Sequence, residues 1–175
     1  SNQIIYLFLH ILKYFNLMPE SVFHYRQAER NLKLVETLNL TPEKFWDWQV
    51  TALFYSALHL VNGHIKETDG GYYYTHVSVQ NIIHHSNEGS KSKLPREVGV
   101  AYEKLQLLSR RARYLFDPTG KSIAQPNYVG ADGFEKAVYA YELIYNHLKV
   151  VHELSIIPIQ VNSLKSGWAN RKLPN

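Results

Sequence analysis

The sequence predicts an all-α protein: an up-and-down bundle of four long helices and one short one, with an extra N-terminal helix and an irregular C-terminal tail. Apolar residues recur at spacings of three and four through four long stretches, the period of a helix with one buried face. No stretch of comparable length alternates apolar and polar residues as a half-buried strand would. The chain's 175 residues, 45% apolar and 19% charged, suffice for one real core and exclude a disordered composition.

Taken in order, residues 1–17 carry the apolar run Ile4-Ile5-Tyr6-Leu7-Phe8-Leu9-His10-Ile11-Leu12. At roughly a dozen residues it is shorter than the roughly 20 that span a bilayer, and no small-residue cleavage pattern follows it. It reads as an appended helix ahead of Met18-Pro19-Glu20-Ser21, which resembles a natural chain start. The bundle proper is expected over residues 18–155. Tyr25, Ala28, Leu32, Val35 and Leu38 form its first stripe, stopped by Asn39-Leu40-Thr41-Pro42. Thr41 is placed to cap the next helix, with Pro42 in its first turn. There Trp46, Val50, Leu53, Ala57, Leu60 or Val61, and His64 make one stripe, while Trp48, Ala52, Tyr55 and His59 make a second. A helix apolar on two sides belongs in the centre.

Asp69-Gly70-Gly71 breaks that pattern, Tyr72-Tyr73-Tyr74 has no period, and Thr75 is placed to cap a short helix through about His85. The polar run from Asn87 to Pro95 reads as a flexible surface loop. Val98, Tyr102, Leu105, Leu108, Ala112 and Leu115 form the next stripe, ended by Asp117-Pro118-Thr119-Gly120, and 121–131 is loop. Asp132 and Glu135 stand three apart like a capping box before the last stripe, Ala137, Tyr141, Ile144, Leu148 and Val151. Residues 156–175 have no helical period and are expected to form an extended tail, with Ile156-Ile157-Pro158-Ile159 laid over the bundle.

Several chemistries are unsupported. With no cysteine, thiolate zinc sites, disulfides and a cysteine nucleophile are excluded, and a cytoplasmic location is the expectation. The nine histidines include His59 and His64, and His147 and His152, each pair five apart. That spacing turns the second ring about 140° from the first, so neither pair shares a face as metal ligands would, and no metal or other cofactor is expected. No GxxxxGK[ST], GxGxxG or HExxH occurs. Ser56 and Ser109 fall in helical stripes rather than on a strand-to-helix elbow, which argues against a serine hydrolase.

Charge is more informative. The net charge of +4 is an average. Between residues 91 and 113, Lys91, Lys93, Arg96, Lys104, Arg110, Arg111 and Arg113 face only Glu97 and Glu103, a local excess of five positive charges. Such a stripe neutralises phosphates, and Tyr102 and Tyr114 beside it offer rings for stacking on bases. Arg113 follows the apolar Ala112 directly and is expected to turn inward toward a carboxylate such as Asp47.

The strings His24-x-x-x-Ala28-Glu29-x-x-Leu32, Asp47-Trp48-x-Val50-Thr51-Ala52-x-Phe54-Tyr55-Ser56-Ala57-Leu58-His59, and Ser109-Arg110-x-Ala112-Arg113-Tyr114 together resemble the small prokaryotic proteins of the HEPN superfamily over about residues 20–153. The resemblance implies a homodimeric bundle of four to five helices acting in toxin–antitoxin, anti-phage or RNA-processing systems. It also implies, for its ribonucleases, an Arg followed after four to six residues by a His. No arginine of this chain has a histidine at that distance, and His76-Val77-Ser78-Val79-Gln80-Asn81 lacks the arginine of a His-x-x-Arg.

The expectation is therefore a dimer that binds RNA or a nucleotide in a defence, toxin–antitoxin or stress module, without the standard ribonuclease activity and without a membrane. Arg110, Arg111 and Arg113 are the candidate phosphate contacts with Tyr114 beside them. Tyr55 and His59 are placed in a pocket between helices, with His76 and Asn81 on its rim. One alternative is a divergent metal-independent ribonuclease with His59 or His76 as general base and Arg110 as phosphate clamp. Another is a protein-interaction or antitoxin-type subunit, using the 72–74 tyrosines and the N-terminal helix to hold a partner protein.

Overall fold

The computed structural model describes residues 20–73, 75–114 and 129–154. These form five helices and no strand: α1 (Glu20–Leu40), α2 (Trp46–Thr68), α3 (His76–Ile83), α4 (Arg96–Tyr114) and α5 (Ala131–His152). The expected N-terminal helix over 1–17, Tyr74, Leu115, residues 121–128 and the tail over 156–175 lie outside the described residues.

The stripes are buried through their middles and open toward their ends, where Leu38 and Ala112 are half-buried and Val151 is 49% exposed. Tyr25, Ala28, Leu32 and Val35 of α1 are buried, as are Ala137, Tyr141, Ile144 and Leu148 of α5. The central role expected of α2 follows from its two apolar sides, since it packs against α1, α4 and α5. Its second side begins later than the stripe implied: Trp48 is 61% exposed, whereas Ala52 is buried and Tyr55 and His59 are half-buried. Ser56, in the middle of α2, ties three helices. Its hydroxyl donates to the Ala28 carbonyl at 2.8 Å and meets the Tyr141 hydroxyl at 3.1 Å. It is a core fastener without access to solvent.

Two expected caps are corrected. Thr41 does not cap α2, because residues 41–45 are used up in the turn; its hydroxyl donates back to the Leu38 carbonyl at 2.6 Å. Phe45 occupies the N-cap of α2 in a left-handed conformation, with φ 42° and no side-chain cap, a strained choice for a bulky residue. Side chains hold it there: Asn39 Nδ2 donates to Gln49 Oε1 at 3.1 Å, and Lys44 Nζ donates to the Asn39 carbonyl at 2.7 Å. At α5, Gly130 is the N-cap and Asp132 pairs with Lys136 at 2.6 Å instead of joining a box with Glu135. Thr75 caps α3 as expected, accepting from the Ser78 amide at 3.1 Å while Ser78 Oγ accepts from the Thr75 amide at 3.2 Å.

The 87–95 segment is a pinned strap rather than a flexible loop. Ser90, Ser92 and Leu94 are buried, alternating with exposed Lys91 and Lys93. Its polar groups are satisfied inside: Ser92 Oγ meets Thr68 Oγ1 at 2.6 Å, and the Leu94 amide donates to the Ile83 carbonyl at 2.9 Å. Burial of hydrogen-bonded serines is compatible with a sequence that reads as polar.

Gly63, in the interior of α2, lies directly under the buried Tyr25 ring; a Cβ there would come within 2.8 Å of Tyr25 Cδ1 and Cζ. Gly63→Ala is therefore expected to lose about 1–3 kcal/mol of stability through overpacking, despite the better helix propensity of alanine. Urea unfolding measures this, and an unchanged or raised midpoint would mean that α1 yields without strain at the contact.

Candidate functional site

Where α2, α3 and α4 meet, one aromatic residue organises the candidate site. Phe54 is fully buried, and its ring centroid lies 5.6 Å from Tyr55, 5.3 Å from His76 and 5.9 Å from Tyr102. The Thr75 cap decides where α3 begins, so His76, its first residue, is set onto Phe54. The end of α4 brings the cations. Arg113 Nη1 donates to Tyr55 Oη at 3.2 Å and its Nε donates to the Ser109 carbonyl at 3.3 Å. Its guanidinium carbon is 5.7 Å from the Tyr55 ring centroid and 5.1 Å from that of Tyr114, within cation–π range. Arg113 thus turns inward as expected, but onto Tyr55 rather than Asp47, which is exposed. An aromatic hydroxyl and two rings orient the cation without cancelling its charge.

His76 feels this charge. Its pKa is held below the ordinary histidine value, first by burial and then by Arg113 and Arg110. A half-buried imidazole whose charged form is disfavoured by burial and by two arginines is a hydrogen-bond partner and a proton acceptor in a positive field. Arg110 and Tyr114 are exposed there, and Gln80 Nε2 donates to Gln106 Oε1 at 2.6 Å, binding α3 to α4 next to the cluster. The arrangement is suited to an oxyanion such as phosphate on the arginines, with a flat group against Tyr114.

Searches against family models, curated proteins and solved structures found no match. The chemistry of the site therefore rests on its own residues.

Of the residues singled out from sequence, Tyr55, His76, Arg110, Arg113 and Tyr114 share these surroundings; Tyr102 does too, but its ring is fully buried against Phe54 and is closed to a base, and His59 and Asn81 are engaged elsewhere. His59 bonds His24 instead, Nδ1 to Nδ1 at 3.1 Å, and its pKa is lowered by burial and then by His24. Asn81 is exposed on α3 and its carbonyl accepts from Asn87 Nδ2 at 2.9 Å, a contact that ties down the strap. Arg111 is half-buried. Of the tyrosines offered as a contact surface, the two described are engaged locally: Lys66 Nζ sits 2.9 Å from the Tyr72 ring centroid, and Tyr73 Oη donates to Asp69 at 2.7 Å.

Four histidines outside the site pair between helices, His24 with His59 and His64 with His152. His64 Nε2–H donates to the Ser92 carbonyl at 3.1 Å, which leaves its Nδ1 to accept from His152 Nε2–H at 2.8 Å. The other nitrogen of His152 faces the Glu67 carboxylate. This relay joins α2, the strap and the end of α5. Burial, then His152, pushes the pKa of His64 down to about 4. Among the described residues no group of three or more His, Asp or Glu side chains is placed to hold a metal ion.

Sequence reasoning missed Phe54 as the organiser and the Gln80–Gln106 bond. The second had a signal: a glutamine inside the apolar stripe of α4, buried in the structure, needs a partner.

Proposed function

We infer that the protein is a HEPN-like up-and-down bundle that binds RNA or a nucleotide through Arg110 and Arg113, with Tyr55, His76 and Tyr114 completing the site. The observation that carries this reading is the cluster at the end of α4, where Arg113 contacts Tyr55 and Tyr114, and where Arg113 and Arg110 both lower the pKa of the half-buried His76. Phosphate contacts supply the affinity and ring stacking tolerates any base, which is the chemistry of single-stranded nucleic-acid binding. The same reading takes the protein to be a homodimer serving a defence, toxin–antitoxin or stress module, as the resemblance implies, in the cytoplasm that the absence of cysteine suggests. No described helix is long and apolar enough to cross a membrane.

Fluorescence anisotropy with single-stranded RNA tests it. Arg110→Ala and Arg113→Ala are each expected to weaken binding about tenfold and to reduce the salt slope by about 1. Affinity and salt slope equal to wild type in both variants would overturn the reading.

One observation favours cleavage as a second reading: His76 is kept neutral beside its arginines, as a general base acting on a ribose hydroxyl requires. Incubation of RNA with wild type and His76→Ala distinguishes the two. Cleavage lost in the variant while binding persists identifies a ribonuclease.

A further inference from the structure

The seam between α3 and α4 does not end at the His76 cluster. Beyond the Gln80–Gln106 bond the two helices line a hollow of about 210 Å³. Ile83 and Val100 give it an apolar floor, and His84, His85, Arg96 and Glu103 form its walls. The His84 and His85 rings lie 4.4 Å apart between centroids and are both exposed. Gly99 also lines the hollow, and a Cβ added there would meet nothing within 4 Å. A helix-interior glycine is unfavourable relative to alanine, and no neighbour at this position demands one. Its consequence is open space.

We propose that this hollow is a second nucleotide subsite, so that the ligand is a single-stranded RNA segment lying along the α3–α4 seam rather than a mononucleotide. The proposal rests on the RNA reading above and names its substrate class. Arg96 meets a phosphate at the rim. Glu103 repels phosphate from the interior but accepts hydrogen bonds from a ribose 2′-hydroxyl or a base amino group, so sugar and base enter there. The imidazole faces and the apolar floor suit a flat ring, and the volume is that of one small group rather than of a larger ligand. From Arg96 to Arg110 the helix rises about 21 Å, a reach of several nucleotides of extended strand and more than one nucleotide bridges.

The test measures the affinity of the full chain for a 5′-mononucleotide and for an oligoribonucleotide of about 8 nucleotides, within the range of single-stranded sites. Gly99→Leu fills the hollow and Arg96→Ala removes its cation. Both are expected to weaken oligonucleotide binding roughly tenfold and to leave mononucleotide binding within about twofold of wild type. Gly99→Ala is expected to raise Tm by roughly 2 °C, since the position is open and helical. If Gly99→Leu and Arg96→Ala bind the oligonucleotide like wild type while Arg110→Ala weakens it, the subsite is wrong and the RNA reading stands. If wild type binds neither ligand, the RNA reading fails and takes the subsite with it. A lowered Tm for Gly99→Ala would show the glycine to be a packing requirement and would remove the argument from open space.

Discussion

On acidification from pH 7 to pH 4 the protein is expected to lose on the order of 3 kcal/mol of stability through His64 alone. The sign follows from the direction of the shift. In the unfolded chain His64 has an ordinary pKa of 6.5, whereas in the fold it is pushed down to about 4. Between these values the unfolded state binds a proton that the folded state refuses, so stability is intact above about pH 6.5 and is lost progressively as pH falls to about 4. His24, His59, His76 and His147 are shifted in the same direction, each chiefly by burial, and add to the trend.

The physical cause is the relay. His64 donates to the Ser92 carbonyl and accepts from His152, so both of its nitrogens are used. A second proton on Nδ1 would point at the N–H of His152, a donor facing a donor. Protonation therefore breaks the link between α2 and the end of α5, while the Nε2–H bond to the Ser92 carbonyl of the strap persists. Urea unfolding from pH 7 to pH 4 measures the loss, and His64→Gln is the control. The variant is expected to be weaker at pH 7 and flatter against pH. Parallel profiles for the two proteins would remove His64 from the account.

The relay also marks what a single sequence makes legible. The stripes of α1, α2, α4 and α5 follow from a period of three to four residues, and the Thr75 cap from its local chemistry, because both depend on residues near in sequence. The pairings His24 with His59 and His64 with His152 depend on how helices cross, and nothing in a spacing of five residues encodes that. The 87–95 strap was misread for a related reason. A serine's polarity says that it needs a hydrogen-bond partner, not whether the partner is water or Thr68. At the site, the excess of positive charge along 91–113 was legible as composition, and Arg113 as a cation drawn inward. Its partner was not, because an aromatic hydroxyl on α2 and a carboxylate on α2 satisfy the same sequence argument.

Phe54→Ala is expected to have the largest effect of any single change considered, about 3–5 kcal/mol of lost stability, because a fully buried ring surrounded by three other rings leaves a cavity that rigid neighbours close only in part. Phe54→Leu retains most of the volume and is expected to lose less, which makes it the useful variant for the site. Burial is the first cause of the lowered His76 pKa, and Phe54 is the ring packed against that imidazole. Opening this contact admits water, so the His76 pKa in folded Phe54→Leu is expected to rise toward the ordinary value. Arg113→Ala removes the second cause and is expected to raise it by a separate route, leaving the core intact. NMR titration of His76 in wild type and both variants reads the two contributions. A His76 pKa unmoved in both would mean that neither Phe54 nor Arg113 sets its charge, and the neutral imidazole on which binding and cleavage chemistry depends would need another source.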